Sequence, residues 1–217
     1  MPVTNKIPLF PLGVVLLPEV LLPLHIFEER YKTMIRECLD QDQEFGVIYF
    51  DGTEMESRGC TARVVRVIKQ YPDGRMDILT KGERRFTIED LHEEKPYLQG
   101  SVGFFDDVEE PPTQNAEALA TEGFDLMMQI EGIDGKQFAV EHGDAMGLKE
   151  ASYLIASSEG FTPEEKQEFL EMTSTRDRLE KGVRSLREIL DRSRVTGEIK
   201  KIVGGNGDAH KFAKQLK

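Results

Sequence analysis

The chain has 217 residues, 39% of them hydrophobic and 31% charged, which excludes a disordered chain and allows one or two domains with a buried core. Its formal net charge at pH 7 is -12, and residues 195–217, with five Lys against two carboxylates, leave -15 on residues 1–194. Because nucleic-acid binding depends on clustered Lys and Arg, this charge argues against nucleic acid and other anionic partners.

The first predicted element is the apolar stretch 7–27, which reads IPLFPLGVVLLPEVLLPLHIF. It contains four prolines, Pro8, Pro11, Pro18 and Pro23. These exclude a helix and a long central strand, so we expect short extended segments joined by bends. The stretch has more large aliphatic side chains than a small core needs, so we predict that some line an exposed apolar groove; burial of all of them is the alternative. The residues predicted to line the groove are Val15, Leu17, Val20 and Leu21.

The next predicted element is an amphipathic helix over about residues 27–40. From Phe27 to Leu39, apolar residues recur at the spacing that places them on one helix face. Glu28 and Lys32 stand four apart on the opposite face, in the order that stabilises a helix by roughly 0.3 kcal/mol. We expect this second face to be solvated.

Short β-strands with turn residues between them follow the helix. Residues 44–50 and 60–70 are rich in β-branched residues, and Tyr71-Pro72-Asp73-Gly74 predicts a β-hairpin turn, since Pro favours the second turn position and Gly accepts a positive φ. A strand over residues 76–88, bent at Gly82, and a last strand over 98–104 complete the set. Five or six short strands indicate a strongly bent sheet or partial barrel.

The signals from residue 113 onward are helical. Pro111 and Pro112 end the β region, and Thr162-Pro163-Glu164-Glu165 combines a capping box with Pro at the first helical position. Three or four helices on short loops predict a bundle. The predicted division is therefore a β-rich domain at 1–110 with one helix, a helical bundle at 113–194 and a flexible, lysine-containing tail at 195–217.

Several strings together resemble the Lon protease N-terminal substrate-binding domain family. They are PLFPL, then P-x-x-L-L-P-L-H-I-F-E-x-R-Y from Pro18, then Gly59-Cys60, YPDGRMDILTKGERRFTI from Tyr71, and TPEEKQEFLEM. The resemblance implies an α+β fold, with a PUA-like bent sheet or pseudobarrel followed by a C-terminal helical bundle. Many members of the family have Gly after the proline that matches Pro18, whereas this chain has Glu19-Val20. The resemblance therefore does not decide the conformation of this bend.

The resemblance also implies a function. It suggests a non-catalytic protein that binds unfolded or extended polypeptides, as an adaptor in proteolysis or quality control for a protease on another chain. Glu29 and Arg30, on the outer face of the first helix, match the family's first helix and are candidates for contacting clients. The alternatives are a PUA-like RNA-binding module, small-molecule sensing as in the cereblon branch of the family, and an unrecognised enzyme.

No catalytic motif accompanies these features. The P-loop string G-x-x-x-x-G-K-[ST] is absent, and the matched domain leaves no room for the Ser-Lys protease domain of Lon. Neither Cys38 nor Cys60 has a second ligand at metal spacing, so we expect no metal and no cofactor. We expect a solvated strand face at Glu83-Arg84-Arg85, with an anion contact as the alternative, and the acidic linker at Asp106-Asp107 implies no pocket. Without a membrane-length apolar run or a signal peptide at residues 1–6, we expect no membrane partner and a cytoplasmic location.

Overall fold

The computed structural model of the protein describes residues 5–111, 113–132 and 146–205. Pro112 and the last part of the predicted tail, 206–217, lie outside the described residues. The elements are β1 (Asn5–Leu12), β2 (Leu21–Ile26), α1 (Glu29–Asp40), β3 (Phe45–Phe50), β4 (Met55–Gln70), β5 (Met76–His92), β6 (Gln99–Phe105), α2 (Gln114–Glu131), α3 (Leu148–Ala156), α4 (Pro163–Glu171) and α5 (Thr175–Gly205).

The six strands form one sheet that closes on itself. Their order is β2-β5-β4-β3-β1-β6, and β5 pairs with β6 as well, so that five strands form a ring to which β2 is attached. The β1–β3 pair is parallel and the other pairs are antiparallel. The α+β fold with a bent sheet or pseudobarrel, followed by helices, is therefore confirmed.

Strands β4 and β5 are longer than the sequence pattern indicated. β5 continues through Gly82, where a bend was predicted, because the register shift between β4 and β5 takes up the curvature within the strand. A Cβ atom at Gly82 would lie 2.1 Å from the carbonyl oxygen of Leu17, so glycine is required by the close approach of the β1–β2 connection. The predicted hairpin turn is confirmed, with Gly74 at a φ of 83° and its N–H donating to the carbonyl of Tyr71.

The bend at Glu19, whose conformation the sequence did not decide, is a tight turn over residues 17–20. The N–H of Val20 donates to the carbonyl of Leu17 at 3.3 Å, and Pro18 and Glu19 occupy the two central positions. Glu19 has a φ of 68°, a value that usually requires Gly at the third position of a type II turn. The chain therefore makes the bend without the glycine.

Helix α1 packs its apolar face on the sheet as predicted, although it begins two residues later than expected. Tyr31, Met34, Ile35 and Cys38 are buried, whereas Phe27 precedes the helix and is exposed. The prediction for Lys32 was wrong: its stem is buried, and its ammonium group donates to Glu29 and to the carbonyl of Asp73 rather than to Glu28.

Four helices follow the sheet in the described part of the chain, and one apolar core joins them to β1–β5 and α1. The predicted capping box of α4 is present, since Thr162 and Glu165 each bond the other's backbone N–H. Helix α5 continues to Gly205, eleven residues past the boundary predicted at 194. Residues such as Glu198, Lys200 and Lys201 are good helix formers, so local preference extends the helix where apolar spacing stops.

Candidate functional site

The edge strand β2 presents a row of side chains away from the core. Strand β2 pairs only with β5 among the described strands, and Leu22, Leu24 and Ile26 pack into the core. Since side chains alternate along a strand, the intervening ones face outward. These are Leu21, Pro23 and His25, and all three are exposed. A proline is tolerated here because an edge strand can lose a ladder donor.

Polar contacts fix the outward row at its C-terminal end. The Nδ1 of His25 lies 2.5 Å from Oδ1 of Asp77 on β5, and the hydroxyl of Tyr71 donates to Oδ2 of the same carboxylate at 2.9 Å. These hydrogen bonds hold the pKa of Asp77 below its usual value. The ring of Phe27 stacks on His25 with centroids 5.9 Å apart and remains 59% exposed. The cluster thus supports an exposed aromatic side chain next to the edge strand.

A shallow cavity of about 190 Å³ separates β2 from the first turn of α1. Its walls include Pro11, Leu24, Phe27, Arg30 and Tyr31. The volume is below the roughly 300–1,000 Å³ of small-molecule sites, so the cavity suits a single side chain of a larger partner.

The structure brings only some of the predicted site residues to this surface. Leu21 is 54% exposed on β2, and Arg30 lines the cavity. Val15 and Val20 are half-buried and pack against the core. The prediction for Leu17 was wrong: it is 1% exposed, because the turn at Pro18 folds it under the sheet beside Gly82.

The charges at the start of α1 are already engaged within the chain. Glu29 accepts from Lys32 at 2.8 Å, and Arg30 pairs with Glu28 at 2.9 Å while its guanidinium lies 4.5 Å above the Tyr31 ring. Glu29 and Arg30 are both exposed, so a partner that contacts them would exchange these local pairs for its own.

A larger cavity, of about 680 Å³, lies along the linker between β6 and α2. The expectation of no pocket at Asp106-Asp107 was therefore wrong, because the linker is held between the sheet and the helices instead of running free in solvent. Its walls include Asp106, Glu109, Glu110, Lys149 and Arg176.

The two aspartates of its walls are tied to cations rather than free for proton transfer, and Glu110 accepts from the Ser174 hydroxyl. Asp107 bonds Arg85 of β5 at 2.6 Å and also binds Arg178 of α5, and both arginines are buried. Burial alone would raise the pKa of Asp107, but the hydrogen bonds from Arg178 and Thr175 and the two positive charges lower it. We call Asp107, Arg85 and Arg178 the Asp107 clasp. Because Arg85 is buried in this clasp, the prediction of a solvated strand face at Arg85 was wrong.

No local sequence signal identifies the Asp107 clasp, because its members come from a strand, a linker and a distant helix. Neither cysteine offers an alternative chemistry, since burial raises the pKa of Cys38 to about 12 and also raises that of Cys60. Within residues 5–111, 113–132 and 146–205, no group of three His, Cys, Asp or Glu side chains is placed to hold a metal ion. Among the described helices, none is long and apolar enough to cross a bilayer.

Comparison with known proteins gives consistent relatives. The chain is 31% identical over 140 residues to the Lon protease of Parabacteroides distasonis, covering 60% of this chain and 17% of that protein. It is 28% identical over 205 residues to the Lon protease of Anaeromyxobacter dehalogenans, covering 87% of this chain and 23% of that one. The chain thus spans about a fifth of the length of these relatives.

Solved structures share the fold. A Lon N-terminal domain protein from Xanthomonas campestris superposes with a TM-score of 0.64 at 22% identity, covering 82% of this chain and 96% of that one. The N-terminal domain of a Mycobacterium avium complex Lon protease gives a TM-score of 0.61 at 17% identity, covering 84% and 98%. The family model of the ATP-dependent protease La (LON) substrate-binding domain matches residues 6–188. The chain therefore belongs to the Lon substrate-binding domain family.

Proposed function

We propose that the chain binds unfolded or extended polypeptides on the outward row of β2 and the adjoining cavity, and that bond cleavage belongs to another chain. The family match is to a substrate-binding domain, and it includes neither the ATPase nor the protease part of Lon. The observation that carries the proposal is the exposure of Leu21 and Phe27 on and beside an edge strand. Large apolar side chains at an edge suit strand addition, in which backbone hydrogen bonds supply affinity and alternate side chains supply selectivity.

The proposal revises the set of contact residues. Leu21, Pro23, Phe27 and Arg30 are accessible, and Glu29 lies at the rim of the same helix turn. Val15 and Val20 contribute only their exposed portions, and Leu17 supports the turn from within the core. The partner is an extended segment that places one large side chain in the cavity between β2 and α1.

The test is binding of a reduced and carbamidomethylated, permanently unfolded protein to the full chain and to its Leu21→Asp variant, measured by fluorescence anisotropy. Burying a Leu side chain contributes about 1.5–3 kcal/mol, so we expect the substitution to weaken binding about tenfold or more.

Leu91→Asp is the matched control. Leu91 is also a strand leucine and is 49% exposed, but it lies near the C-terminal end of β5, away from the part of β5 that pairs with β2. It should bind as the unaltered chain does. Equal affinity of all three proteins for the unfolded partner would remove the β2 surface from the function. Hydrolysis of the partner by the purified chain would contradict the assignment of cleavage to another protein.

Within this proposal the chain works in the cytoplasm as an adaptor or holdase and delivers the polypeptides that it binds to a separate protease. RNA binding is the weaker alternative because of the charge of -12. Small-molecule sensing is weaker for a different reason. The cavity at the β2 surface is small, and the larger one is lined by carboxylates such as Asp106 that are paired within the chain.

A further inference from the structure

The second half of β4, Val65–Gln70, is open on both faces and along one edge. We call this segment the β4 arm. β4 pairs with β3 only as far as Ala62, and beyond it the described strands offer only β5 as a neighbour. All six residues of the arm are exposed. The pairing with β5 skips Val65 and Ile68, so Arg66 and Lys69 both stand opposite residues on the less buried face of β5.

Half of the arm is aliphatic. Val65 and Ile68 are 47% and 54% exposed, and Val67 is also exposed. β-branched side chains on an unpaired edge are what soluble proteins generally avoid, because such an edge is a template for pairing with another chain. Three of them in six residues therefore require a physical reason.

The arm is also basic, although the chain as a whole carries -12. Arg66 forms no ion pair within the described part of the chain, and Lys69 lies with its Nζ 4.5 Å over the Tyr71 ring. Arg36 of α1 packs against Gly74 at the tip of the hairpin. The carboxylate of Asp77 stands opposite Lys69 on β5 but already bonds His25 and Tyr71, so an approaching segment meets Arg66 and Lys69 as the charges of the arm itself.

The two arm cations discourage pairing between copies of the chain. In the antiparallel register that pairs all of Val65–Gln70 with itself, Arg66 stands opposite Lys69 of the second copy. Like charges directly opposite each other destabilise a strand pair. The same cations would attract carboxylates at those positions, so the arm selects by charge against a copy of itself and for an acidic segment.

We propose that the β4 arm docks an extended segment of another polypeptide in which aliphatic side chains alternate with Asp or Glu. The carboxylates of that segment pair with Arg66 and Lys69 on one face of the arm, and its aliphatic side chains cover Val67 on the other face, beside Val65 and Ile68. The arm lies on the opposite side of β5 from β2, so the two surfaces are different edges of the sheet, with Asp77 of β5 between Lys69 and His25. Aliphatic rather than aromatic side chains favour a peptide over single-stranded nucleic acid, whose sites rely on base stacking.

The test uses fluorescein-labelled synthetic peptides of alternating Val and Glu, Val and Lys, or Ser and Glu, with anisotropy as the readout. The unaltered chain should bind the Val–Glu peptide at least about tenfold more tightly than either of the others. The double variant Arg66→Glu with Lys69→Glu should bind the Val–Glu peptide at least about tenfold less tightly and should now prefer the Val–Lys peptide.

Arg184→Glu is the matched control, because Arg184 is an exposed cation on α5, and it should leave both affinities unchanged. Far-UV circular dichroism and the unfolding midpoint check that the double variant is folded. The proposal is overturned if charge reversal leaves Val–Glu binding unchanged, or if an oligothymidine displaces that peptide from the unaltered chain. It is equally overturned if sedimentation shows a dimer that the double variant loses.

The Leu21→Asp variant separates the two proposals. It should bind the Val–Glu peptide as the unaltered chain does, and a parallel loss would mean that there is only one surface. A failure of Leu21→Asp to change capture of the unfolded protein concerns the β2 surface alone.

Discussion

Glu19 holds a backbone conformation that its side chain does not favour. Its φ of 68° lies in the left-handed region, which costs an L-residue about 1–2 kcal/mol. Three contacts keep it there: its N–H donates to the carbonyl of Gly82 at 2.8 Å, its carboxylate pairs with Lys81, and the turn closes from Val20 to Leu17. The turn directs the chain into β2, so this strained residue sets the start of the β2 surface.

We therefore predict that Glu19→Gly is more stable than Glu19→Ala by about 1 kcal/mol, because both lack the ion pair and only Gly accepts a positive φ without strain. Urea unfolding of the two variants measures the difference. Equal midpoints would mean that the turn relaxes at no cost.

At the scale of elements, the sheet depends on how closely the β1–β2 connection crosses β5. Gly82 sits at this crossing, where a Cβ would be 2.1 Å from one backbone oxygen and 2.9 Å from the carbonyl carbon of Leu17. Backbone atoms cannot rotate away as a side chain does. The connection would have to move, and Leu16 and Leu17, which it buries, would move with it.

Gly82→Ala should accordingly destabilise the chain by about 2–3 kcal/mol, as overpacking does in other cores. Gly13→Ala is the matched control, since the nearest atom to a Cβ there is the oxygen of Phe50 at 4.0 Å, and it should change stability by less than about 0.5 kcal/mol. Thermal unfolding followed by circular dichroism compares them. A larger loss for Gly13→Ala than for Gly82→Ala would contradict the argument.

At the scale of the whole molecule, the Asp107 clasp fastens the helices to the sheet. The guanidinium of Arg85 also donates to the carbonyl of Leu170 at 2.8 Å, and that of Arg178 donates to Ser152 at 2.8 Å, so one carboxylate organises contacts from β5 to α5. Removing one member of a buried ion pair is far costlier than removing an exposed one, because the remaining charge stays buried without compensation.

Asp107→Asn should therefore cost about 3–5 kcal/mol. The neighbouring Asp106, whose side chain is 70% exposed and pairs with Lys149, is the control, and Asp106→Asn should cost less than about 1 kcal/mol. Denaturant unfolding at neutral pH measures both. Similar small losses would show that the clasp is dispensable for stability.

The ion pairs of Asp107 with Arg85 and Arg178 also predict how the stability of the chain depends on pH. The pKa of Asp107 is lower in the folded chain than its unfolded value of about 3.9, so its stabilisation is present above that value and is lost as the pH falls through the folded pKa. The Asp107→Asn variant should lose less stability than the unaltered chain when both are unfolded at decreasing pH. Parallel slopes would assign the acid sensitivity to other carboxylates.

Local patterns in the sequence predicted the features that neighbouring residues decide. The hairpin at Gly74, the capping box at Thr162 and the apolar face of α1 depend on groups within a few residues of one another, and each is observed. The family strings then implied the arrangement of the elements. The division at residues 110 and 194 remains a prediction, since one apolar core runs across the first boundary and α5 runs across the second.

Only the tertiary structure decided which side chains are accessible. Leu17 and Leu21 lie four residues apart in one apolar stretch, yet one is in the core and the other is on the surface, because the turn between them reverses their relation to the sheet. Arg85 was likewise indistinguishable from the exposed Arg84 until Asp107 and Arg178 were placed beside it. Exposure and ion pairing are set by residues far apart in the chain, so no local pattern carries them.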